Sequence, residues 1–365
     1  LAAAPWPEPG EAPAYESIPK EVTHAYLALL RDLAGFDPAS GRLPRAVFTP
    51  LAGAAGPLMR RLADLAQLPL AFVAEEMAPQ ADFAGIPQPA PDQPGVFRRA
   101  LALGREIRAE LLLATDGDGD RCGAMVRQDG GYTLLSGDET GLLLLNYLIA
   151  KALAGPGLPQ GGQVYQSLIS TPLAEALAAA HGLETVQLPV GFRHIAQSLE
   201  ENPDRFFFGF EESGGYLATA ALRDKDGLAA ACLLLAAAAF YRSRGQSLPQ
   251  VLAQIQARYG PCQGLTKTLF AGPAAVSQAM ARLRAQPPPA LAGLPIISRI
   301  DHGQLRGRAC CDLLRYDFPQ GRRLYIRPSG TESGLKAYIF AEDKAACSRL
   351  WQGAEALLNQ ELGRA

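Results

Sequence analysis

Ala109-Glu110-Leu111-Leu112-Leu113-Ala114-Thr115-Asp116-Gly117-Asp118-Gly119-Asp120-Arg121-Cys122-Gly123-Ala124-Met125-Val126 is the stretch that decides how this chain folds. Residues 109–115 read as a strand, and residues 122–126 as another. Between them three aspartates alternate with glycine and end on Arg121. Carboxylates crowded this way repel one another unless something positive binds between them. Magnesium takes hard oxygen ligands, and three converging aspartates supply part of its shell. The remaining positions are left for water or a phosphate oxygen, so the loop points to metal-assisted phosphate chemistry. An EF-hand is excluded, because its sixth and twelfth positions call for Gly and Glu where this chain has Arg121 and Arg127. The bland alternative is an acidic, solvated turn; the flanking strands and Arg121 weigh against it.

Upstream of the loop the pattern alternates. A helical stretch at 20–33 places Val22, Tyr26, Leu29, Leu30 and Leu33 on one face. A buried strand at 45–51, a helix at 58–66, a strand at 70–73, a Pro-rich loop at 78–95 and a helix at 96–108 follow. That alternation predicts an α/β unit with a largely parallel sheet and an active loop at a strand's C-terminal end. A helix at 141–154 and a Gly/Pro run at 155–162 mark a boundary. A second α/β unit then reads as strand 164–169, helix 172–181, strand 185–189, helix 195–200, strand 205–210 and an apolar helix 227–241. Beyond Gly260 strands dominate, at 266–270, 296–300, 311–316, 322–326 and 335–341, flanking helices at 273–284 and 344–362. This predicts an α+β unit with an antiparallel sheet. The expected layout is a Pro/Ala/Glu tail at 1–14, α/β units at 15–155 and 156–260, and an α+β unit at 261–365.

Composition bounds the function. At 48% apolar and 19% charged the 365 residues are globular in type, and a formal charge of −2 gives no reason to expect nucleic acid or an anionic membrane. The six cysteines form no C-x-x-C pair, which predicts reduced thiols and a cytoplasmic setting. The apolar stretch 228–240 is too short to span a bilayer, and no signal-peptide pattern is present at the N-terminus.

Two further loops carry candidate chemistry. Gly209-Phe210-Glu211-Glu212-Ser213-Gly214-Gly215-Tyr216 offers a carboxylate and a hydroxyl two residues apart, able to grip adjacent sugar hydroxyls; taken alone it reads better as a polar hairpin turn. Arg327-Pro328-Ser329-Gly330-Thr331-Glu332-Ser333 offers a bidentate arginine, hydroxyls and glycine-freed N–H groups, the parts of a phosphate nest; a plain strand-connecting turn explains it about as well. In Arg223-Asp224-Lys225-Asp226-Gly227, Asp226 reads as a helix cap and Lys225 as a possible phosphate contact.

The order and spacing of these loops resemble the α-D-phosphohexomutases, the phosphoglucomutase/phosphomannomutase family. Thr49-Pro50-Leu51-Ala52-Gly53, the segment 79–91, Gly191-Phe192-Arg193 and the segment 223–227 resemble further family segments, so the likeness covers about residues 15–365. The resemblance implies two α/β/α domains and a C-terminal α+β domain, corresponding to the family's second, third and fourth. It implies Mg2+ held by Asp116, Asp118 and Asp120, with Arg121 beside the reacting phosphate as the catalytic residue. It implies sugar contacts from Glu211 and Ser213, and a phosphate pocket of Arg327, Ser329, Gly330 and Thr331. Arg193 and Lys225 are weaker candidates for phosphate contact. The implied partners are a hexose phosphate substrate and a sugar bisphosphate intermediate.

The family's first domain carries a T-x-S-H-N-P-type loop whose serine is phosphorylated, and no Ser-His dipeptide occurs here. The expectation is therefore a mutase chain without its serine domain, inactive alone, whose magnesium site lacks one ligand and binds the ion weakly. Ala52 stands where the family has His, Ala90 where it has Asn, and Gln166 where Lys is frequent. The expected reaction exchanges glucose 1-phosphate and glucose 6-phosphate; mannose- or pentose-phosphate mutases, a non-catalytic sugar-phosphate binder and a magnesium phosphatase are the alternatives.

Overall fold

A computed structural model describes residues 17–36, 43–330 and 332–363. Helix α1 (Lys20–Ala34) precedes β1 (Ala46–Thr49), α2 (Gly56–Ala66), β2 (Leu70–Phe72), α3 (Arg98–Ile107), β3 (Leu111–Thr115), β4 (Cys122–Gln128) and β5 (Gly131–Leu135). The strands form one sheet in the order β2-β1-β3-β4-β5. β1 pairs in parallel with β2 and with β3, but β3–β4 and β4–β5 are antiparallel, so the sheet is mixed rather than largely parallel. The cause is local. The aspartate loop turns the chain straight back beside β3, and only a crossover helix would deliver a parallel neighbour. β5 lies outside the sequence expectation, although Asp129 and Gly130, with φ of 50° and 80°, are the residue pair a tight hairpin favours.

The central strands β1 and β3 are buried on both sides and still alternate between two cores. Phe48, Leu111 and Leu113 enter one; Val47, Leu112 and Ala114 enter the other, with Phe97 and Ala100. On α1 the buried stripe is Leu27, Leu30 and Ala34, not one running through Val22, which is 56% exposed. The first turn of α1 stands clear of the core formed by the described residues, so its apolar side chain stays largely exposed.

Helix α4 (Gly137–Leu153) starts at a capping box of Ser136 and Glu139. Then come β6 (Gln163–Ser167), α5 (Pro172–Ala179), β7 (Glu184–Leu188), α6 (Arg193–Glu201), β8 (Phe206–Phe210), β9 (Tyr216–Leu217), α7 (Gly227–Arg242) and α8 (Leu248–Tyr259). The sheet order is β7-β6-β8-β9, parallel except for β8–β9. Helix α7 is buried from Gly227 through Ala237, as an all-apolar helix must be. It packs against α1, α4 and α8, so a single core joins the two sheets.

The C-terminal unit comprises β10 (Gln263–Phe270), α9 (Pro273–Ala285), the small hairpin β11 (Ala290–Leu291) and β12 (Leu294–Pro295), β13 (Ser298–Asp301), β14 (Leu314–Asp317), β15 (Arg323–Pro328), β16 (Gly334–Ala341) and α10 (Lys344–Glu361). Its main sheet runs β10-β16-β15-β14-β13 with every pairing antiparallel. Leu324, Ile326, Ala337 and Ile339 share a core with α9 and α10. Tyr325, Tyr338 and Phe340 project the other way, onto Leu168 and Ile169 of the second unit. Arg323–Glu175 at 3.3 Å and an Arg308–Glu201 pair bridge the same junction. All six cysteines are free, and among the described residues no helix is long and apolar enough to cross a membrane.

Candidate active site

The aspartate loop is closed by its own ends. Asp116, 2% exposed, accepts the Arg121 N–H on Oδ1 at 3.0 Å and the Arg121 Nε–H on Oδ2 at 2.5 Å. Gly119 takes φ of 78°, a conformation that glycine adopts without strain. One carboxylate oxygen each of Asp116, Asp118 and Asp120 lies within 4.8 Å of the others. Lys225 Nζ meets Asp120 Oδ2 at 2.8 Å. Arg121 and Lys225 thus offset two of the three charges, and no side chain among the described residues pairs with the exposed Asp118. Clustered hard oxygens with an uncompensated charge fit a magnesium ion, and the buried Thr115 Oγ1 beside them has no hydrogen-bond partner. Burial pushes the Asp116 carboxyl up, and the Arg121 N–H and guanidinium oppose that rise.

Close backbone contacts hold the loop against its neighbours. Gly227 N–H donates to Gly119 O at 2.9 Å, Cys122 N–H to Gly214 O at 2.9 Å and Ala54 N–H to Gly117 O at 2.9 Å. Side chains at these junctions have no room. A Cβ on Gly53 would come within 2.6 Å of Gly117 O, and one on Gly227 within 2.6 Å of both Gly119 O and Arg121 O.

Glu211 and Ser213 lie on the turn between β8 and β9. Glu211 is 4% exposed and accepts the Gly191 N–H on Oε1 at 2.7 Å. Burial pushes its carboxyl up; the Gly191 N–H, Lys225 and Arg327 pull it down, and Asp120 adds to the rise. Glu211 therefore feels both the aspartate loop and the C-terminal unit. Ser213 is half-buried at the turn, whose end Gly215 bridges to Arg121. Glu212 accepts from Ser167 Oγ at 2.9 Å and is pushed up to about 7, by burial first and by repulsion from Glu211 second.

Arg327, at the end of β15, is half-buried; its Nε donates to Tyr338 OH at 3.3 Å and its Nη1 to Pro328 O at 3.1 Å. Ser329 N–H donates to Gly334 O at 2.9 Å, and Ser329 Oγ accepts the Glu332 N–H at 3.2 Å, which rounds the loop. Gly330 is exposed on that loop, and Thr331 lies outside the described residues. Arg193 opens α6, two residues after Gly191; it is exposed, and its Nε reaches His194 Nε2 at 3.4 Å. The fold thus brings the loops carrying Asp120, Lys225, Glu211 and Arg327 into one electrostatic neighbourhood and leaves Arg193 at its edge.

Three sets of relationships match this arrangement. The description "Phosphoglucomutase/phosphomannomutase, alpha/beta/alpha domain II" matches residues 24–131, and that for domain III of the same family matches residues 136–259. The chain belongs to the phosphoglucomutase/phosphomannomutase family. Among relatives, the phosphoglucomutase of Staphylococcus epidermidis RP62A is 31% identical over 346 residues, covering 88% of this chain and 62% of that protein. The phosphoglucomutase of Staphylococcus aureus USA300 is 29% identical over 343 residues, with 88% and 61% covered. This chain therefore spans about three fifths of the length of these relatives. Among solved structures, a family protein from Burkholderia thailandensis superposes with a TM-score of 0.67 at 19% identity, covering 93% of this chain and 64% of that one. An N-acetylphosphoglucosamine mutase from Aspergillus fumigatus, solved with GlcNAc-6P and magnesium, superposes at 0.55 and 14% identity, covering 94% and 70%. The family's domain III match opens at the capping residue of α4, the helix that packs on α5, α7 and α8.

The family resemblance did not point to Glu76. This residue, 1% exposed, accepts from Thr49 Oγ1 and pairs with Arg99 Nη1 at 2.6 Å. Its backbone O also accepts the Ala52 N–H at 2.9 Å. It thereby fixes the 49–53 turn that abuts the aspartate loop. The signal available in sequence was a Thr and an Arg flanking an acidic pair, too common to read.

Proposed function

We propose that this chain is the metal-, sugar- and phosphate-binding part of a phosphosugar mutase that interconverts glucose 1-phosphate and glucose 6-phosphate. The observation that carries the reading is the shared neighbourhood of the loops, with Lys225 joining Asp120 to the turn that bears Glu211, and the charge of Arg327 acting on the Glu211 carboxyl from the C-terminal unit. The units are assigned as residues 15–155, 156–260 and 261–365, after a tail at 1–14.

In this reading Asp116, Asp118 and Asp120 hold Mg2+, which neutralises charge on the transferring phosphoryl group. Arg121, pinned by Asp116, presents its guanidinium beside the reacting phosphate. Glu211 and Ser213 take sugar hydroxyls. Arg327, Ser329, Gly330 and Thr331 hold the phosphate that is not reacting, with Arg193 and Lys225 as further anionic contacts. The site serves either end of the sugar, so the bisphosphate intermediate reverses between two half-reactions while these residues keep the same roles. The serine that gives and receives the phosphoryl group is assigned to a part of the whole protein beyond these 365 residues, which contain no Ser-His dipeptide. The relatives named phosphoglucomutase support the choice of glucose.

The test has two arms. The 365-residue chain is titrated with glucose 1-phosphate and with Mn2+ by calorimetry, and the whole protein is assayed for formation of glucose 6-phosphate. Binding by the chain with turnover in the whole protein is expected. Ala52 and the fully buried Gln166, at positions where the family carries His and frequently Lys, favour a second reading, a non-catalytic sugar-phosphate binder. Binding without turnover in the whole protein selects it. Release of free phosphate in place of the isomer would select a phosphatase.

A further inference from the structure

Helix α1 is remote in sequence from every loop of the site, yet Tyr26 OH donates to Asp226 Oδ2 at 2.7 Å. The other carboxylate oxygen of Asp226 accepts the Ala229 N–H at 2.8 Å and caps α7. Asp226 N–H donates to Tyr216 O at 3.0 Å. The residues on either side of Asp226 both grip the aspartate loop. Lys225 pairs with Asp120 at 2.8 Å, and Gly227 N–H donates to Gly119 O at 2.9 Å. Gly227 sits so close to Gly119 O and Arg121 O that a Cβ there would fall 2.6 Å from each. Residues 225–227 are a clamp on the loop, and the middle of the clamp is fixed from outside by α1.

We propose that Tyr26 is a positioning residue for the aspartate loop, holding Asp226 so that Lys225 and Gly227 set the loop's geometry. The clamp itself is a statement about this chain's contacts. Its consequence for a bound cation rests on the metal reading given above. A hydroxyl bonded to a partly buried carboxylate is a charge-assisted contact, and its removal leaves an acceptor short of a donor. The Asp226 carboxylate then competes for Lys225 Nζ, one residue away, and any swing of that ammonium toward Asp226 comes off Asp120. The cap on α7 survives, because Oδ1 still accepts from Ala229.

The experiment uses Tyr26→Phe in the 365-residue chain, with two readouts. Amide hydrogen exchange, resolved by residue, should quicken about fivefold or more at Gly227 and Cys122, whose N–H groups tie the loop down, while amides of β15 and β16 keep their rates. Mn2+ affinity, read by electron paramagnetic resonance, should weaken about three- to tenfold. Asp226→Asn keeps the cap and removes the charge, so adding Tyr26→Phe to it should change exchange at 227 and 122 by less than it does in the parent chain. Unchanged exchange at those two amides overturns the proposal, and so does a uniform increase that includes β15 and β16. If the parent chain binds no Mn2+, the metal reading falls, and the exchange data still decide the role of Tyr26.

Discussion

Glu76 shows how a single buried charge shapes this molecule. Thr49 Oγ1 and Arg99 bind its two carboxylate oxygens, and its own backbone O receives the Ala52 N–H. Leu51 and Ala52 meanwhile hold φ of 50° and 59°, a region that β-carbons disfavour. Arg99→Met removes the compensating charge, and about 1–3 kcal/mol of stability should go with it, measured by urea unfolding. Gln166 is the opposite case. It is fully buried, and neither polar atom of its amide has a hydrogen-bond partner. Gln166→Met keeps the volume and removes the unpaired groups, so about 1 kcal/mol of added stability is expected in the same assay. Glu212 carries part of the pH dependence, beside Asp138, whose carboxyl burial pushes up to about 8. The Glu212 carboxyl, pushed up to about 7 by burial and then by Glu211, stays protonated in the folded chain at pH values where the unfolded chain has lost the proton. The stability it contributes is complete below the ordinary glutamate value and is lost as pH rises through about 7. The melting temperature should fall between pH 5 and pH 8, and fall less in Glu212→Gln, whose amide still accepts from Ser167.

At the scale of elements, the aspartate loop depends on glycines far from it in sequence. Gly53 lies against Gly117, where an added Cβ would sit 2.6 Å from a carbonyl oxygen and 2.7 Å from a Cα. Backbone, unlike a flexible side chain, yields little. Gly53→Ala should therefore displace the loop and weaken Mn2+ binding about tenfold, while far-UV circular dichroism stays unchanged. What sequence reveals here follows the same division. The strand before the loop was legible because Leu111 to Ala114 form an apolar run stopped by Asp116. The apolar helix α7 was legible for the same reason. β5 is not legible, since a short amphipathic run such as Gly131–Leu135 blends into a loop until its partner is known; α8 also lies outside the expectation, although Ser247 and Gln250 form a capping box at its start. Periodicity places Val22 on the buried face of α1 and the structure leaves it exposed, because periodicity identifies a face without saying how far along the helix a neighbour reaches. Local chemistry singles out the aspartate loop, whereas the 209–216 and 327–333 loops stand out only through the order and spacing that resemble the family's. The seating of the aspartate loop is not legible, because it rests on Gly53 against Gly117, Gly227 against Gly119 and Gly214 against Cys122, contacts between residues separated by dozens of positions.

Across the whole molecule, cores and sheets divide the chain differently. The first two units have separate sheets but share the core around α7, to which α1, α4, Phe48, Phe208 and Phe210 all contribute. The C-terminal unit has its own core beneath α9 and α10, and meets the second unit through Tyr325, Tyr338 and Phe340. Calorimetry should accordingly resolve two unfolding transitions, a larger one for the first two units together and a smaller one for the C-terminal unit. Arg323→Met, which removes the ion pair with Glu175, should bring the smaller transition down without moving the larger. The shared core has a further implication for how this molecule can be divided. The link at 155–162 runs along the exterior, with Gly155 and Gly157 exposed. A chain cut there should yield two polypeptides that are each insoluble alone, because each lays bare its half of the packing around α7. Mixed or made together, the same two pieces should find one another and rebuild the fold without a covalent link, a split pair whose recombination would report directly on the integrity of the metal loop trapped between them.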